Sequence, residues 1–172
     1  DLEALWSEDD DAVAALSVRT AFDCWLATVN LPRGSEVIVS GINIPDMARI
    51  LEHHGLHMVP VDVDLHTMEI LADEVEEAIT PRTRLVLVAH LFGSRMDMEP
   101  VFEITRQHPE ILVVEDCAQA FDGCEGYRGD ARSDLSLFSF GAIKTASALG
   151  GALARVRDAA VRERMRAMMA EY

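Results

Sequence analysis

Apolar and polar positions follow two alternating patterns along this chain. Continuous apolar runs of strand length occupy residues 85–91 and 111–114, and such runs are typical of parallel strands that are covered on both faces. Between the runs, apolar residues recur at steps of three and four, which is the spacing of one buried helix face. The clearest set is Phe22, Trp25, Leu26 and Val29. The pattern therefore predicts that strands and helices alternate from residue 12 to residue 115.

The two patterns assign most of the chain to regular elements. Strands are predicted at residues 11–17, 36–40, 58–63, 85–91, 111–114, 135–140 and 151–156. Helices are predicted at residues 19–29, 46–54, 99–107 and 158–172, with a short helix within 67–79. Pro60 predicts an edge strand or a strand start, and the last two strands are joined by too short a link for a helical crossover, which predicts an antiparallel pair. The fold class is α/β, a three-layer α/β/α sandwich with a mostly parallel, doubly wound sheet, in which ligands bind beyond the carboxyl ends of the strands.

Composition narrows the classes of function. The net charge is −15 over 172 residues, which disfavours nucleic-acid partners because they require a basic face. No apolar run approaches the roughly 20 residues that span a bilayer, and the acidic start of the chain is unlike a signal peptide. Cys24, Cys117 and Cys124 lack a metal-ligand spacing. They predict buried or incidental thiols in a reducing compartment, a cytoplasmic protein and no metal centre. The missing initiator Met and the end within a predicted helix predict a fragment.

One residue stands out against this background. Lys144 is the single lysine of the chain, and the other basic residues are arginines. It follows a predicted strand and precedes Gly150 and Gly151 among small residues. Such a position desolvates the amine and favours its neutral, nucleophilic form. The alternative is an ordinary loop lysine in a chain whose composition favours arginine elsewhere, and Lys144 alone does not separate the two.

Further candidate residues lie at the ends of predicted elements. Asp116 follows a buried strand, where a carboxylate needs a partner, and Gln119 lies three residues on. Ser139 could offer its hydroxyl to a phosphate, and Thr20 lies near a helix N-terminus, where anions bind. Asp116, Ser139 and Thr20 each also have a purely structural explanation, as a helix cap or a local hydrogen bond. Taken together with a lysine, they are what pyridoxal phosphate (PLP) requires: an amine, an anionic partner for the pyridinium nitrogen and donors for the phosphate.

At these residues the chain resembles the DegT/StrS-type sugar aminotransferases, which are PLP enzymes of fold type I. The resemblance runs from about residue 17 to residue 158 and rests on four motifs in the right order. They are VDVDLHTMEI at 61–70, AITPRTRLVLVAHLFG at 78–93, VVEDCAQAFDG at 113–123 and SFGAIKTASALGGAL at 139–153. No glycine-rich nucleotide fingerprint competes with them.

The resemblance implies a role for each candidate residue. Lys144 would form the imine with the aldehyde of PLP and later move the substrate proton as general base and acid, while Asp116 would pair with the pyridinium nitrogen. Gln119 would lie against the ring near its phenolic oxygen. The phosphate would be held by Ser139 and by the backbone around the pair Arg19 and Thr20.

The resemblance also implies a reaction and an assembly. The family commonly transfers an amino group from glutamate to a nucleotide-linked keto sugar, in amino-sugar, polysaccharide or antibiotic biosynthesis. Residues 1–172 would be the large, PLP-binding domain of a homodimer, without the family's small C-terminal domain.

Three positions depart from the family pattern. Arg19 stands where Gly is usual, Ile44 where an aromatic residue usually stacks on the ring, and Gly141 where a larger residue is common. These departures keep two alternatives open. One is a fold type I enzyme acting on a non-sugar substrate, such as a cyclitol or an aminobenzoate precursor. The other is a non-catalytic relative that keeps the fold for sensing or assembly.

Overall fold

A single seven-stranded sheet organises the chain. The computed structural model describes residues 2–121, 123 and 126–171. The strands of the sheet are β1 Ala12–Ala15, β2 Glu36–Ser40, β3 His57–Val61, β4 Thr83–Ala89, β5 Leu112–Asp116, β6 Leu135–Ser139 and β7 Ala152–Val156. They lie in the order β1-β7-β6-β5-β4-β2-β3; the five strands from β6 to β3 are mutually parallel, and β7 and β1 are antiparallel to their neighbours. This is the mostly parallel α/β sheet that the sequence predicts.

Helices cover both faces of the sheet. They are α1 Leu2–Trp6, α2 Val18–Val29, α3 Pro45–His53, α4 Ala72–Ala78, α5 Glu99–Thr105 and α6 Ala159–Met169. Successive residues of a strand point to opposite faces, so β4 contributes Leu85 and Leu87 to the core beneath α2, α3 and α6. It contributes Val86 and Val88 to the core beneath α4 and α5. The two cores account for the three layers.

Local sequence explains where the helix next to the predicted phosphate site begins. The Ser17 hydroxyl accepts a hydrogen bond from the backbone N–H of Thr20 over 3.1 Å and caps α2. Asn30, at φ 50°, ends the helix in the left-handed region that Asn tolerates. The predicted helix at 19–29 is therefore confirmed, and Thr20 lies in its first turn.

Two regions add detail to the prediction. The short helix predicted within 67–79 is α4, which begins at Ala72 because residues 63 and 70 form an isolated β-bridge and Met68 takes a left-handed φ of 62°. The acidic start contains α1, and its Trp6 ring lies 5.1 Å from that of Phe138. That contact joins segments more than a hundred residues apart, so no local pattern predicts it.

Candidate cofactor site

The loop that carries Lys144 connects β6 to β7. Its base is closed by two backbone hydrogen bonds of 3.0 Å, from Phe140 N–H to the Gly151 carbonyl and from Ala148 N–H to the Phe140 carbonyl. Within it, Lys144 N–H donates to the Gly141 carbonyl over 3.0 Å, which forms a tight turn. Lys144 is half-buried. The loop thus holds the only lysine beyond the carboxyl end of β6, where the fold type places ligands.

Asp116 is the last residue of β5, and β5 is the neighbour of β6. Its Oδ1 accepts a hydrogen bond of 2.9 Å from the Ala118 N–H. Burial raises the pKa of this carboxyl group, while the Ala118 N–H and the positive charge of Lys144 act in the opposite direction. Lys144 and Asp116 lie 28 positions apart in the sequence, and the fold brings their charges within reach of each other.

A small cavity of about 110 Å³ lies at this edge of the sheet. Three of the predicted residues line it: Asp116, Gln119 and Ile44. The Gln119 Oε1 accepts a hydrogen bond of 3.0 Å from the Phe92 N–H, so its amide N–H groups are left to donate to a ligand. The remaining lining residues are Ile42, Asn43, Ala89, His90 and Leu91.

Arg19 and Thr20 line a different, wider cavity of about 380 Å³ between α2 and α3. The Arg19 guanidinium donates to the Asp46 carboxylate over 2.8 Å and is 56% exposed. The Thr20 hydroxyl lies 3.0 Å from the Ser17 hydroxyl. The structure therefore does not gather all seven predicted residues in one cavity, and the two predicted phosphate residues of α2 stand apart from Asp116.

Ser139 ends β6 and is half-buried. A Cβ atom at Gly141 would lie 3.9 Å from the Ser139 Oγ, which is ordinary van der Waals contact, so the two positions are neighbours at the end of β6. Behind the strand, the buried Phe138 ring packs against Phe121 and Tyr127, with centroid distances of 5.5 and 6.1 Å. This aromatic packing fixes the strand end from which Ser139 projects.

A buried network beside the cavity includes residues that sequence reasoning missed. The side chains of His90 and Glu115 are 0% and 1% exposed, and His90 Nε2 lies 2.9 Å from Glu115 Oε2. His90 Nδ1 accepts a hydrogen bond from the Met96 N–H over 3.2 Å, so Nε2 carries the ring proton and donates a hydrogen bond to the carboxylate. A histidine inside the apolar run 85–91 was the sequence signal that could have revealed this pair.

The other Glu115 oxygen collects further donors. Oε1 accepts from the Ser133 hydroxyl over 2.6 Å and from the Asp130 N–H over 2.8 Å, with Ser136 Oγ at 3.3 Å. Arg155 donates to Ser136 Oγ over 3.2 Å. We call this set, from His90 through Glu115, Ser133 and Ser136 to Arg155, the Glu115 network. It fixes the strand end that presents Asp116, and it keeps Asp130 partly buried and Ser133 buried in the stretch before β6.

The same pair belongs to a group of metal-ligand types. Suitable atoms of His90, Glu115 and Cys117 lie within 4.8 Å of one another. Both ring nitrogens of His90 are already hydrogen-bonded, and burial raises the pKa of the Cys117 thiol, so the sulfur stays protonated. The contacts therefore favour a hydrogen-bonded structural cluster over a metal centre. Cys24 is also a buried free thiol, as expected, and Cys124 lies outside the described residues.

Comparison with known proteins decides the family. The DegT/DnrJ/EryC1/StrS aminotransferase family matches residues 4–171. The chain belongs to this family. It is 31% identical over 156 residues to the GDP-perosamine synthase of Caulobacter vibrioides, a match that covers 90% of this chain and 42% of the relative.

Solved structures of family members share the fold. The S. venezuelae protein DesV, in complex with a ketimine intermediate, matches with a TM-score of 0.81 and 32% identity over 96% of this chain and 45% of that one. The sugar aminotransferase CalS13 from Micromonospora echinospora matches with a TM-score of 0.80 and 26% identity over 95% and 47%. The present chain thus spans less than half the length of these family members. Among the described residues, no helix has the length and apolar character to cross a membrane.

Proposed function

We propose that this chain is the large, cofactor-binding domain of a PLP-dependent aminotransferase that transfers an amino group from an amino acid such as glutamate to a nucleotide-linked keto sugar. The observation that carries the proposal is the convergence of Lys144 and Asp116 at one edge of the sheet, beside a cavity that Gln119 and Ile44 also line. Family membership supports PLP as the cofactor and a sugar as the substrate class.

The residues present fit the cofactor. Asp116 supplies an anion for a protonated ring nitrogen, the free amide of Gln119 supplies a donor for a ring oxygen, and Ile44 supplies an apolar surface for a ring face. When bound, PLP supplies an electron sink that stabilises negative charge on the substrate carbon. In this proposal Lys144 would hold the cofactor covalently and, once the incoming substrate amine has displaced it, would move the proton at that carbon.

The phosphate would be held by donors on two elements. Ser139 offers its hydroxyl from β6, and the first turn of α2 offers the backbone around Arg19 and Thr20, where the helix dipole favours an anion. The Arg19 side chain is drawn toward Asp46, which supports a role for the Arg19 backbone in the site. Of the three departures from the family pattern, Ile44 keeps its place in the cavity wall as an aliphatic contact.

The homodimer belongs to the proposal as well. Large apolar side chains stand exposed beyond the carboxyl ends of the parallel strands; they are Phe92 at 72%, Leu149 at 86% and Ile143 at 94% exposed. A second copy that covers them would also close the site against water. Sedimentation velocity tests this. We expect the wild type to be a dimer and the Ile143→Asp variant to be a monomer, and a monomeric wild type would count against the assembly.

The cofactor role is tested by trapping. The protein is incubated with PLP, reduced with borohydride and mapped by peptide mass spectrometry, with Lys144→Arg as the matched control. The chain has only two primary amines, the Lys144 side chain and the α-amino group, so the site of the adduct is easily assigned. We expect a phosphopyridoxyl group on Lys144. A folded protein modified only at its α-amino group would refute the proposal.

Amino-group transfer is tested separately from cofactor binding. Loaded protein is mixed with glutamate, and formation of 2-oxoglutarate is measured. A nucleotide-linked 4-keto sugar or an inosose is then added to the aminated form, and the aminated product is sought. Turnover with the nucleotide sugar supports the proposal, turnover only with the inosose supports the non-sugar alternative, and an adduct on Lys144 with no transfer supports a non-catalytic relative.

A further inference from the structure

An unpartnered donor lies in the wall of the small cavity. The Nδ2 atom of Asn43 is buried and has no hydrogen-bond partner within the part of the chain that the structure describes. The Asn43 Oδ1 accepts from the Ile44 N–H over 2.8 Å. Since a backbone N–H needs an acceptor, this bond fixes which end of the amide is oxygen, so the nitrogen must point elsewhere. A buried donor without a partner is unusual in a native protein and calls for an explanation.

Asn43 Nδ2 differs in position from the other buried side-chain atoms that lack a hydrogen-bond partner. The described residues contain two more buried side-chain atoms without a partner, Ser94 Oγ and Arg162 Nε. Neither residue lines the cavity that contains Asp116 and Gln119, whereas Asn43 does. The energy minimum for χ2 of an asparagine is broad, so a small rotation that keeps the hydrogen bond from the Ile44 N–H can turn Nδ2 toward a ligand.

The cavity has a definite polarity. Asp116 presents a hydrogen-bond acceptor, while Gln119 has its oxygen engaged and only N–H groups free. Both ring nitrogens of His90 are already used within the protein. Asn43 adds a second free donor on the β2–α3 connection. The cavity therefore suits a flat ligand that has a donor on one side and oxygen acceptors on the others.

We infer that Asn43 is a ligand-binding residue whose Nδ2 donates a hydrogen bond to an oxygen atom on the ring of the bound cofactor. The inference rests on the proposed function, because it takes the ligand to be a pyridoxal derivative. The ring is the partner rather than the phosphate, since the phosphate candidates Arg19 and Thr20 line the other cavity. Nothing in the sequence motifs assigns a role to Asn43.

Two substitutions separate the donor from the rest of the side chain. Asn43→Asp keeps the oxygen that caps the Ile44 N–H but replaces the donor with an acceptor. Asn43→Leu removes both polar groups at similar volume. The ligands are pyridoxamine 5′-phosphate and pyridoxamine, which bind without an imine and so do not depend on Lys144. They share the ring oxygen and differ only in the phosphate.

We expect Asn43→Leu to raise the dissociation constant of both ligands by about threefold to tenfold, as expected for the loss of one ordinary hydrogen bond. Asn43→Asp should raise it by about tenfold or more, because it also places an acceptor against the ring oxygen. Ser94→Ala, which removes an unpartnered atom outside the cavity, should leave both constants unchanged. Equal binding by wild type and both Asn43 variants would overturn the inference. A loss seen only with the phosphorylated ligand would also overturn it, because it would move the contact to the phosphate.

The ligand-free protein provides a readout that is independent of activity. If the amide is kept for a ligand rather than for the fold, Asn43→Leu should unfold in urea at about the same midpoint as the wild type, because Ile44 is exposed and water can replace the lost acceptor of its N–H. A clearly lower midpoint would show a structural role and overturn the inference. Failure of the wild type to bind pyridoxamine 5′-phosphate would instead refute the proposed function, and so the two failures are distinguishable.

Discussion

Glu115→Gln tests whether the Glu115 network holds the end of β5. The carboxylate accepts from the Asp130 N–H and the Ser133 hydroxyl on one oxygen and from His90 Nε2 on the other. A glutamine has only one acceptor oxygen. If its nitrogen faces Asp130, that backbone N–H loses its acceptor. If its nitrogen faces His90, two donors oppose each other.

The ring of His90 cannot relieve the arrangement in which the glutamine nitrogen faces its Nε2–H. A change of tautomer would turn Nε2 into an acceptor, but it would also place a proton on Nδ1, against the Met96 N–H that now donates to it over 3.2 Å. Either way, at least one buried N–H group is left without a partner. A hydrogen bond to a charged group contributes about 1.5–3 kcal/mol, and leaving a buried donor unpaired costs about 1–3 kcal/mol. Because the neutral amide is easier to bury than the charged carboxylate, we expect a net loss of about 2–4 kcal/mol.

Urea unfolding of the ligand-free protein measures this loss. The control is Glu103→Gln, which makes the same chemical change at an exposed position of α5 and should alter the free energy of unfolding by less than about 0.5 kcal/mol. We also expect Glu115→Gln to weaken PLP binding, since Asp116 follows directly in the chain. A loss of stability below about 1 kcal/mol would refute the argument that the network has no alternative hydrogen-bonding pattern.

Three further predictions concern single positions. Burial raises the pKa of the Asp116 carboxyl group in the folded protein, so the folded state loses stability as the pH rises above about 4 and this group ionises. Asp116→Asn should therefore resist urea increasingly better than the wild type as the pH rises, and a gap that does not widen with pH would contradict the burial account. Gly129 has φ 76°, and a Cβ there would lie 2.5 Å from Ser136 Oγ. Gly129→Ala should therefore lower the free energy of unfolding by about 2–4 kcal/mol in the same assay. A change under about 1 kcal/mol would mean that the loop shifts freely. Ser17→Ala removes the cap of α2 and should lower the free energy of unfolding by about 1 kcal/mol. The control is Ser17→Asp, which retains a capping oxygen and should leave that free energy nearly unchanged.

Much of the fold could be predicted from local patterns. The apolar runs at 85–91 and 111–114 correspond to β4 and β5, within one or two residues at most ends. Pro60 lies in β3 at the edge of the sheet, as predicted. The short helix predicted within 67–79 is confirmed as α4, although the start of that range forms a turn and a β-bridge. Periodicity records which residues are buried, and a bridge can bury the same residues as a helix turn.

The sequence by itself determined the residue types of the candidate site and the element ends at which they lie, because capping, strand length and the single Lys144 are local properties. Only the tertiary structure decided which of them meet. Placing β5 beside both β4 and β6 brings Asp116 to Lys144, buries His90 against Glu115 and puts Asn43 in the same cavity wall as Gln119. It also separates Arg19 and Thr20 into another cavity. These outcomes depend on which distant strands become neighbours, and that choice is made by burying whole faces of the sheet, which no short stretch of sequence specifies.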